Sequence, residues 1–527
     1  MIYFIPSWQS MSNGPTDFDD IVHQLRTFQE SDVEFELIIP VYLPNIRYQL
    51  NRQGLDDIKY WSVFDELQIS NSNVVGLPTK LENLKFPDNA RFIYTPSCVI
   101  IYVQNKLYAK VFFSEFGFIA SVTYFFQNRK IRQAVFDERS FLSSCIFFDK
   151  DENVKNVNYF DAQHNVKIEY NLINNQTVCF ENGTHQLYQN LDNLILEKIE
   201  EHIRSNSQYK TLIISASKEN TYLTQLSKCV DKTLISFFDQ RFNINNENDL
   251  VQYTKIANIM VVDTLFQRKR LEEKLQQLGL ESHITKINEI PPFDTRLKLG
   301  ESQSSPYQKI YWYLNEMDQT SIEKVAHLLV TEISERERLS ILIASKENAK
   351  IELVMAQMFR KIKDHFDIDE DSLVYQTVFK KINDESENKL TNTEFSGLDE
   401  TSEWKDANDA ITTMQRLQGV LITSENDVVN GLRDTRIVLD LNSAPDVFVQ
   451  LSAISVGIPQ VNVTHSEYVI DKQNGLLIDE IINLKDALSY YLDDLYHWNE
   501  SLVYNVALME KYSGKQNIQR WIELIRG

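Results

Sequence analysis

The chain is poor in several residue types that often shape a small or secreted protein. It has only 14 glycines, 12 prolines and 4 cysteines in 527 residues, and no stretch approaches the 18 or so continuous apolar residues that a membrane-spanning helix needs. The cysteines are widely spaced without a C-x-x-C pair, which favours buried free thiols in a reducing compartment. The N-terminal sequence MIYFIPSWQS lacks the basic and long apolar parts of a signal peptide. These shortages predict a cytoplasmic protein.

Positive charge is scarce as well. The chain carries 53 lysine and arginine residues against 75 acidic ones, which gives a formal net charge of −22. Because such a surface repels phosphate groups, nucleic acid is not expected as a partner. The basic run Arg268, Lys269 and Arg270 is interpreted as a solvated helix face. It permits at most a peripheral contact with the inner face of the cell membrane.

Standard catalytic signatures are absent from the sequence. There is no G-x-G-x-x-G, G-K-[ST], H-E-x-x-H or G-x-S-x-G motif, and the 9 histidines lack metal-ligand spacing. We therefore predict no cofactor and no metal site. His465, in a loop after a strand, is the best histidine candidate for a role in a binding cleft, and a solvated side chain is its commoner alternative.

The sequence does contain a clear α/β pattern. Its length implies two or three domains. An apolar strand at 2–5 precedes a polar loop, a helix with Thr16 or Asp17 as its N-cap, and a second strand at 33–40. This order predicts a βαβ unit with a parallel sheet and a loop at its carboxyl edge. The apolar positions of the helix are Phe18, Ile21, Val22, Leu25 and Phe28.

A second pattern, from about Arg91 to Gln186, consists of short segments rich in Tyr, Phe, Val and Ile with turn signals between them. It predicts an inserted antiparallel β-sheet, followed by a helix that starts at Leu187. Two later stretches, 211–220 and 341–348, each run from a continuous apolar strand into Ser-Lys-Glu-Asn, which suits two similar α/β halves.

The last third of the chain predicts a loop and two final helices. The acidic, polar stretch 383–408 has few apolar anchors and is expected to be a mobile loop. Two apolar stripes at helical spacing follow it near the C-terminus. Their members are Leu484, Ala487, Leu488, Tyr491, Leu492 and Leu495 in the first, and Ile518, Trp521, Ile522 and Ile525 in the second.

The sequence RIVLDLNSAPDVFVQLSAISVGIPQVN, followed by an Asn-Gly turn, resembles the C-terminal half of GT-B glycosyltransferases. Gly457, Pro459, Asn474 and Gly475 match the turns around their nucleotide-sugar pocket, although a plain helix C-cap also explains Gly457. The Pro291-Pro292 pair looks like their crossover between domains. The resemblance implies an α/β fold, a GT-B-like pair of Rossmann-like domains with an inserted antiparallel β-sheet domain.

The charged groups of such a pocket are missing. The resemblance implies donor-binding glutamates at the positions of Ala444 and Ser452, and an arginine near Asn315. The implied glutamates would hold the donor sugar and ribose, and Ala444 and Ser452 have no carboxylate for that role. The implied arginine would neutralise the departing nucleotide diphosphate, and Asn315 has no positive charge for that role. Asp446 lies two residues from the first position and could replace that glutamate only after a local shift.

Four residues are candidates for a cleft or for glycan binding. Trp8, Asn13 and Gly14 follow the first strand, and His465 lies in the second half of the chain. Trp8 could stack on a sugar ring, and a core-packing or hinge tryptophan is the favoured alternative.

Over its whole length the chain resembles the glycosyltransferase-like subunits of the accessory Sec system of Gram-positive cocci. The start MIYFIPSWQS, the helix TDFDDIVHQLRTF, the segment FDERSFLSSCIFFD and the altered SAISVGIP site carry this resemblance. It implies a non-catalytic relative of the enzymes that glycosylate serine-rich-repeat adhesins. The implied partners are two further accessory secretory proteins, the glycosylated adhesin, and the accessory Sec ATPase and channel.

Two other functions stay open at this point. One is an active glycosyltransferase that reaches its donor through Asp446, His465 or Lys472, and the other is a bare scaffold without carbohydrate contact. The domain ranges expected are 1–92 and 191–290 for the first Rossmann-like domain, 93–190 for the inserted β domain, 291–500 for the second Rossmann-like domain, and 501–527 for C-terminal helices that pack back on the first.

Overall fold

A computed structural model describes most of the chain. The described residues are 1–9, 17–31, 33–69, 79–114, 117–181, 183–205, 208–238, 241–296, 298, 300–386 and 401–527. They form two compact units. Unit 1 comprises Met1–Asp263, Gln267–Ile290 and Trp521–Gly527, and unit 2 comprises Thr264–Phe266 and Pro291–Arg520.

Unit 1 begins with alternating strands and helices, and the parallel pairing of the first two strands confirms the predicted βαβ unit. The N-cap of the first helix is Asp19, whose carboxylate accepts from the N–H groups of Ile21 and Val22. The prediction of Asp17 as the cap is therefore wrong, and Thr16 lies outside the described residues. The elements are β1 (Ile2–Ile5), α1 (Asp20–Gln29), β2 (Phe35–Ile39), α2 (Ile46–Arg52), β3 (Tyr60–Ser62) and α3 (Val63–Gln68).

The insert is an antiparallel sheet, as predicted, and it forms a meander of ten strands. Two of its strands, β10 and β13, are absent from the sequence prediction. Each has only one buried residue, Tyr159 and Tyr188 respectively, so the apolar signal of a strand is weak. The strands are β4 (Arg91–Tyr94), β5 (Val99–Val103), β6 (Lys106–Phe113), β7 (Ile119–Phe126), β8 (Arg129–Phe136), β9 (Leu142–Phe148), β10 (Val154–Phe160), β11 (Val166–Asn171), β12 (Gln176–Glu181) and β13 (Thr184–Tyr188).

The chain then returns to the parallel sheet of unit 1, whose strand order is β17-β16-β15-β14-β1-β2-β3. The order reverses between β1 and β14, which makes that point the topological switch point of the sheet. The added elements are α4 (Leu191–Arg204), β14 (Thr211–Ser215), β15 (Lys232–Phe237), α5 (Glu247–Ile256), β16 (Ile259–Val262), α6 (Leu265–Gln277) and β17 (Ile287–Glu289).

Unit 2 contains a six-stranded parallel sheet of order β20-β19-β18-β21-β22-β23, with its switch point between β18 and β21. Its elements are β18 (Gln308–Leu314), α7 (Gln319–Glu335), β19 (Leu339–Ser345), α8 (Asn348–His365), α9 (Leu373–Ser386), α10 (Ser402–Gln415), β20 (Leu417–Leu421), α11 (Glu425–Leu432), β21 (Thr435–Asp440), α12 (Val447–Val456), β22 (Gln460–Asn462), β23 (Gly475–Leu477), α13 (Leu484–Leu492) and α14 (Leu495–Lys511). The last helix, α15 (Gly514–Arg526), belongs to unit 2 up to Arg520 and to unit 1 from Trp521. Short 3-10 helices span Leu81–Asn83, Thr221–Cys229, Glu281–Lys286 and Ile481–Asn483.

Three local predictions need correction. The predicted loop at 383–408 is helical at both ends, because α9 continues to Ser386 and α10 starts at Ser402. Residues 387–400 of that stretch lie outside the described part. The helix predicted from Leu187 starts only at Leu191, and Leu495, expected in the apolar stripe of α13, is 54% exposed at the start of α14.

Among the described residues, no helix is long and apolar enough to cross a membrane. All four cysteines are free thiols, and Cys98, Cys145 and Cys179 are buried, as predicted from their apolar surroundings.

Candidate functional site

Of the predicted donor-site residues, Asn315 and Ala444 lie at the carboxyl edge of the sheet of unit 2, and Ser452 lies on α12. Gly457 and Pro459 lie between the end of α12 and the start of β22, at the opposite, amino edge. The segments that follow β18, β19 and β21 meet at the carboxyl edge, because the strands are parallel and adjacent. Ligands of open α/β sheets bind at such a switch point. Asn315 follows β18, Lys346 follows β19, and Asp446 stands at the start of α12 after β21.

Asp446 is the centre of this edge, and its carboxylate is fully engaged inside the protein. One oxygen accepts from the N–H groups of Phe448 and Val449, at 3.0 and 3.1 Å, and so caps α12. The other accepts from the Tyr313 hydroxyl at 2.9 Å and from Lys346 Nζ at 3.3 Å. A helix N-terminus, a hydroxyl and an ammonium group are the donors that commonly bind a phosphate. Here they bind the protein's own carboxylate.

A second carboxyl group, Asp440, lies behind Asp446. Its side chain is completely buried and accepts from the N–H of Asp446 at 2.8 Å and from the side-chain amide of Asn442. Burial raises the pKa of Asp440 to about 7, and the nearby charge of Asp446 adds to this rise. The edge therefore holds two acidic side chains, and the carboxyl group of Asp440 is bound to the backbone of Asp446.

The three positions at which the resemblance expects charged donor-binding groups have different surroundings. Ala444 is half-buried in the segment between β21 and α12, and Ser452 is half-buried on α12. The backbone of Asn315 is held on both sides, since its N–H donates to Asn442 Oδ1 at 3.1 Å and its carbonyl accepts from Lys350 Nζ at 2.6 Å.

Two cations at this edge, Lys346 and Lys350, were missed by the sequence analysis. They belong to the loop after β19 and to α8, whereas positive charge was expected in the segment after β18. The Ser-Lys-Glu-Asn stretch at 341–348 contains Lys346 and is the signal that could have found it. Both cations already have an acidic partner, because Lys346 pairs with Asp446 and Lys350 pairs with Glu347 at 2.6 Å.

The Gly457 and Asn474 turns are structural. Gly457 is the C-cap of α12 with φ of 84°, and its N–H donates to the carbonyls of Ala453 and Ile454. Pro459 then leads into β22. Asn474 is buried and binds the backbone of Ile470 and Tyr468.

Gly475 is required by a close approach between strands. A Cβ at this position would lie 2.4 Å from the carbonyl oxygen of Gln460 on β22. Both turns thus precede strands, β22 and β23, at the amino edge of the sheet, where they cap α12 and allow the two strands to pair.

The other predicted cleft residues do not join this cluster. His465 and Lys472 are exposed in the segment between β22 and β23, and no hydrogen bond or ion pair within the described ranges links them to Asp446. Asn13 and Gly14 lie outside the described residues. Trp8 is 3% exposed, and its indole N–H donates to Asp19 Oδ2 at 2.6 Å. This burial fits the core-packing alternative given for Trp8.

At the switch point of unit 1, polar side chains bind one another and the nearby backbone. Asp20 forms a two-pronged ion pair with Arg241, at 2.7 and 2.9 Å, and the side-chain amide of Asn220 binds the carbonyls of Pro6 and Ser215. Burial raises the pKa of Asp19 to about 6, helped by the charge of Asp20. In the part of the chain that the structure describes, no group of three or more His, Cys, Asp or Glu side chains could hold a metal ion.

Two Rossmann-like sheets, each with its own switch point, define the GT-B class of fold, and this chain has an antiparallel sheet inserted in addition. The structure is similar to that of the pneumococcal O-GlcNAc transferase GtfA in complex with UDP and GlcNAc. The TM-score is 0.65, covering 100% of this chain and 98% of that chain. At 12% sequence identity this likeness concerns the fold alone.

The family model for the accessory Sec system protein Asp, the first of that designation, matches residues 1–527, and the chain belongs to this family. A relative with the same description from Streptococcus gordonii is 30% identical over 569 residues, which covers 99% of this chain and 98% of that protein. The chain is also similar to one in the Glycosylation Associate Protein (Gap123) complex from Streptococcus agalactiae. There the TM-score is 0.74 at 25% identity, covering 99% of this chain and 100% of that chain. This protein is therefore a component of the accessory Sec system.

Proposed function

We propose that the chain is a non-catalytic, glycosyltransferase-like export factor. It assembles with the other two accessory secretory proteins, binds the glycosylated serine-rich-repeat adhesin, and helps deliver it to the accessory Sec ATPase and channel. The family membership and the similarity to the Gap123 complex support the assembly. The internal engagement of Asp446 is the observation that supports the loss of catalysis.

Asp446 opposes donor binding through electrostatics. Sugar transfer from a nucleotide donor leaves a diphosphate whose growing negative charge needs free cations or a free helix N-terminus. In unit 2 the N-terminus of α12 and Lys346 both bind the Asp446 carboxylate. A diphosphate at this edge could not use those donors, because they already bind Asp446, and the buried negative charge of Asp446 would repel it. Donor binding is therefore strongly disfavoured.

Titration calorimetry of the purified protein tests both halves of the proposal. We expect no heat of binding from uridine-diphosphate sugars, and binding of a serine-rich-repeat peptide that carries O-linked sugar. The same peptide without sugar is the control for peptide contacts. Nucleotide binding at micromolar strength, or sugar transfer to the peptide, would contradict the non-catalytic role and favour the active transferase.

A single variant links the result to the structure. Asp446→Ser keeps a hydroxyl that can cap α12 and removes the negative charge. A gain of UDP binding in this variant relative to the wild type would identify the carboxylate as the blocking group. Failure of the glycosylated peptide to bind the wild type would instead contradict the adhesin-binding part of the proposal.

A further inference from the structure

Unit 2 contains a cavity of about 810 Å³ at the amino edge of its sheet, which we call the amino-edge cavity. Lys309, Ser340 and Gln418, close to the starts of β18, β19 and β20, line it. The switch point described above lies at the opposite, carboxyl edge of the same strands. The amino-edge cavity is therefore separate from the former donor site, and its volume is within the range of small-ligand pockets.

The lining combines an aromatic ring with hydroxyl, amide and carboxylate groups. Tyr307 is 45% exposed and lines the cavity together with Phe366. The Oγ atoms of Ser334 and Ser340 are buried and have no hydrogen-bond partner among the described residues. Because almost none of the surface of these two atoms is accessible, they lie beneath the cavity wall, and the groups open to a ligand include the Tyr307 ring and the Asp409 carboxylate.

The charges of the amino-edge cavity argue against an anionic ligand. Lys309 is paired with Asp434 at 2.6 Å, and the Arg416 guanidinium donates to the carbonyls of Arg336 and Leu339, at 2.6 and 3.0 Å. Both cations of the lining are thus occupied.

Acidic groups also surround Arg416. Burial lowers the pKa of its guanidinium, and Tyr307, Glu337 and Asp409 oppose that change. Carboxylates accept hydrogen bonds readily from neutral hydroxyl groups, whereas they repel a phosphate. An uncharged ligand with many hydroxyl groups suits this combination.

We propose that the amino-edge cavity binds a neutral sugar of the glycosylated adhesin. The Tyr307 ring would pack against the apolar face of the pyranose, while the Asp409 carboxylate would accept hydrogen bonds from its hydroxyl groups. The inference rests on the proposed function, since it names the part of this chain that contacts the adhesin's carbohydrate. N-acetylglucosamine is a suitable neutral probe.

The test compares Tyr307→Ala with Tyr496→Ala in calorimetric titrations with a serine-rich-repeat peptide carrying O-linked N-acetylglucosamine. Tyr496 is a matched control, because it is 67% exposed on α14 of the same unit and does not line the cavity. We expect the peptide to bind about tenfold more weakly to Tyr307→Ala and unchanged to Tyr496→Ala. Asp409→Asn is expected to weaken binding by a smaller factor.

The outcomes separate this inference from the proposed function. If the wild type binds the glycosylated peptide and both Tyr307→Ala and Asp409→Asn bind it equally well, the cavity is not the sugar site, while the export role stands. If the wild type does not bind the peptide at all, the proposed function itself fails. Saturation-transfer NMR with free N-acetylglucosamine gives a second readout, in which signal lost in Tyr307→Ala supports the cavity and signal retained overturns it.

Discussion

The switch points of the two parallel sheets differ in the groups that bind their acidic side chains. In each unit an aspartate caps a helix at the carboxyl edge, Asp19 at α1 and Asp446 at α12. Asp19 is bound by a neutral indole, and the buried ion pair of Asp20 with Arg241 stands next to it. Asp446 has instead a cation, Lys346, whose side chain is 40% exposed. At the switch point of unit 1 the desolvated ion pair is therefore expected to contribute most to stability, whereas at the switch point of unit 2 the helix cap is expected to contribute most.

The largest loss of stability is expected when Arg241, the cation at the switch point of unit 1, is replaced. Arg241→Ala leaves the buried Asp20 carboxylate without its partner, which typically costs about 3–5 kcal/mol. Urea unfolding followed by hydrogen–deuterium exchange, read on peptides of unit 1, measures this loss separately from unit 2. The double variant Asp20→Asn with Arg241→Ala should recover part of the stability. Equal losses in the single and double variants would contradict a penalty from an unpaired charge.

The next prediction concerns how the stability of unit 2 changes with pH. Asp440 has a pKa of about 7 in the folded protein against 3.8 for the ordinary group. Between these values the native state keeps a proton that the unfolded state has released, so the free energy of unfolding falls as pH rises from about 4 to 7, by roughly 1.4 kcal/mol per pH unit. Asp440→Asn should flatten that fall.

Urea midpoints of unit 2 at pH 5 and pH 7 measure the slope for the wild type and for Asp440→Asn. The other carboxyl groups are the same in both proteins, so the difference between the two slopes isolates Asp440. An unchanged slope would mean that Asp440 is ionised at both pH values in the folded state.

A smaller effect is expected from the indole that binds Asp19. Trp8→Phe keeps an aromatic ring in the core and removes the N–H donor at 2.6 Å, which leaves the half-buried Asp19 carboxylate short of a partner at a cost of about 1–3 kcal/mol. Trp61→Phe is the matched control, because its indole donates to Glu66 in an exposed contact. If both variants lose the same stability in exchange experiments on unit 1, the Trp8 hydrogen bond has no special role.

The sequence predicted the fold better than the site, and particular residues explain why. Strands β1 and β14 and the stripe of α13 are visible because their apolar residues repeat at short spacing along the chain. The Asp446 cluster has no such local signal, since Tyr313 and Lys346 reach it from 133 and 100 residues away. Strand β10 was missed because Asn156 and Asn158 interrupt its apolar pattern.

The smallest effect should come from Lys346→Ala, the counterpart in unit 2 of the Arg241 variant. The Lys346 side chain is partly exposed, so its ion pair contributes at most about 1 kcal/mol, and Asp446 keeps the Tyr313 hydroxyl and the two N–H groups of α12. Exchange experiments on peptides of unit 2 should therefore show little change. A loss as large as that of Arg241→Ala would mean that the cation, rather than the helix cap, holds the Asp446 carboxylate, and that both units close their switch points by ion pairing.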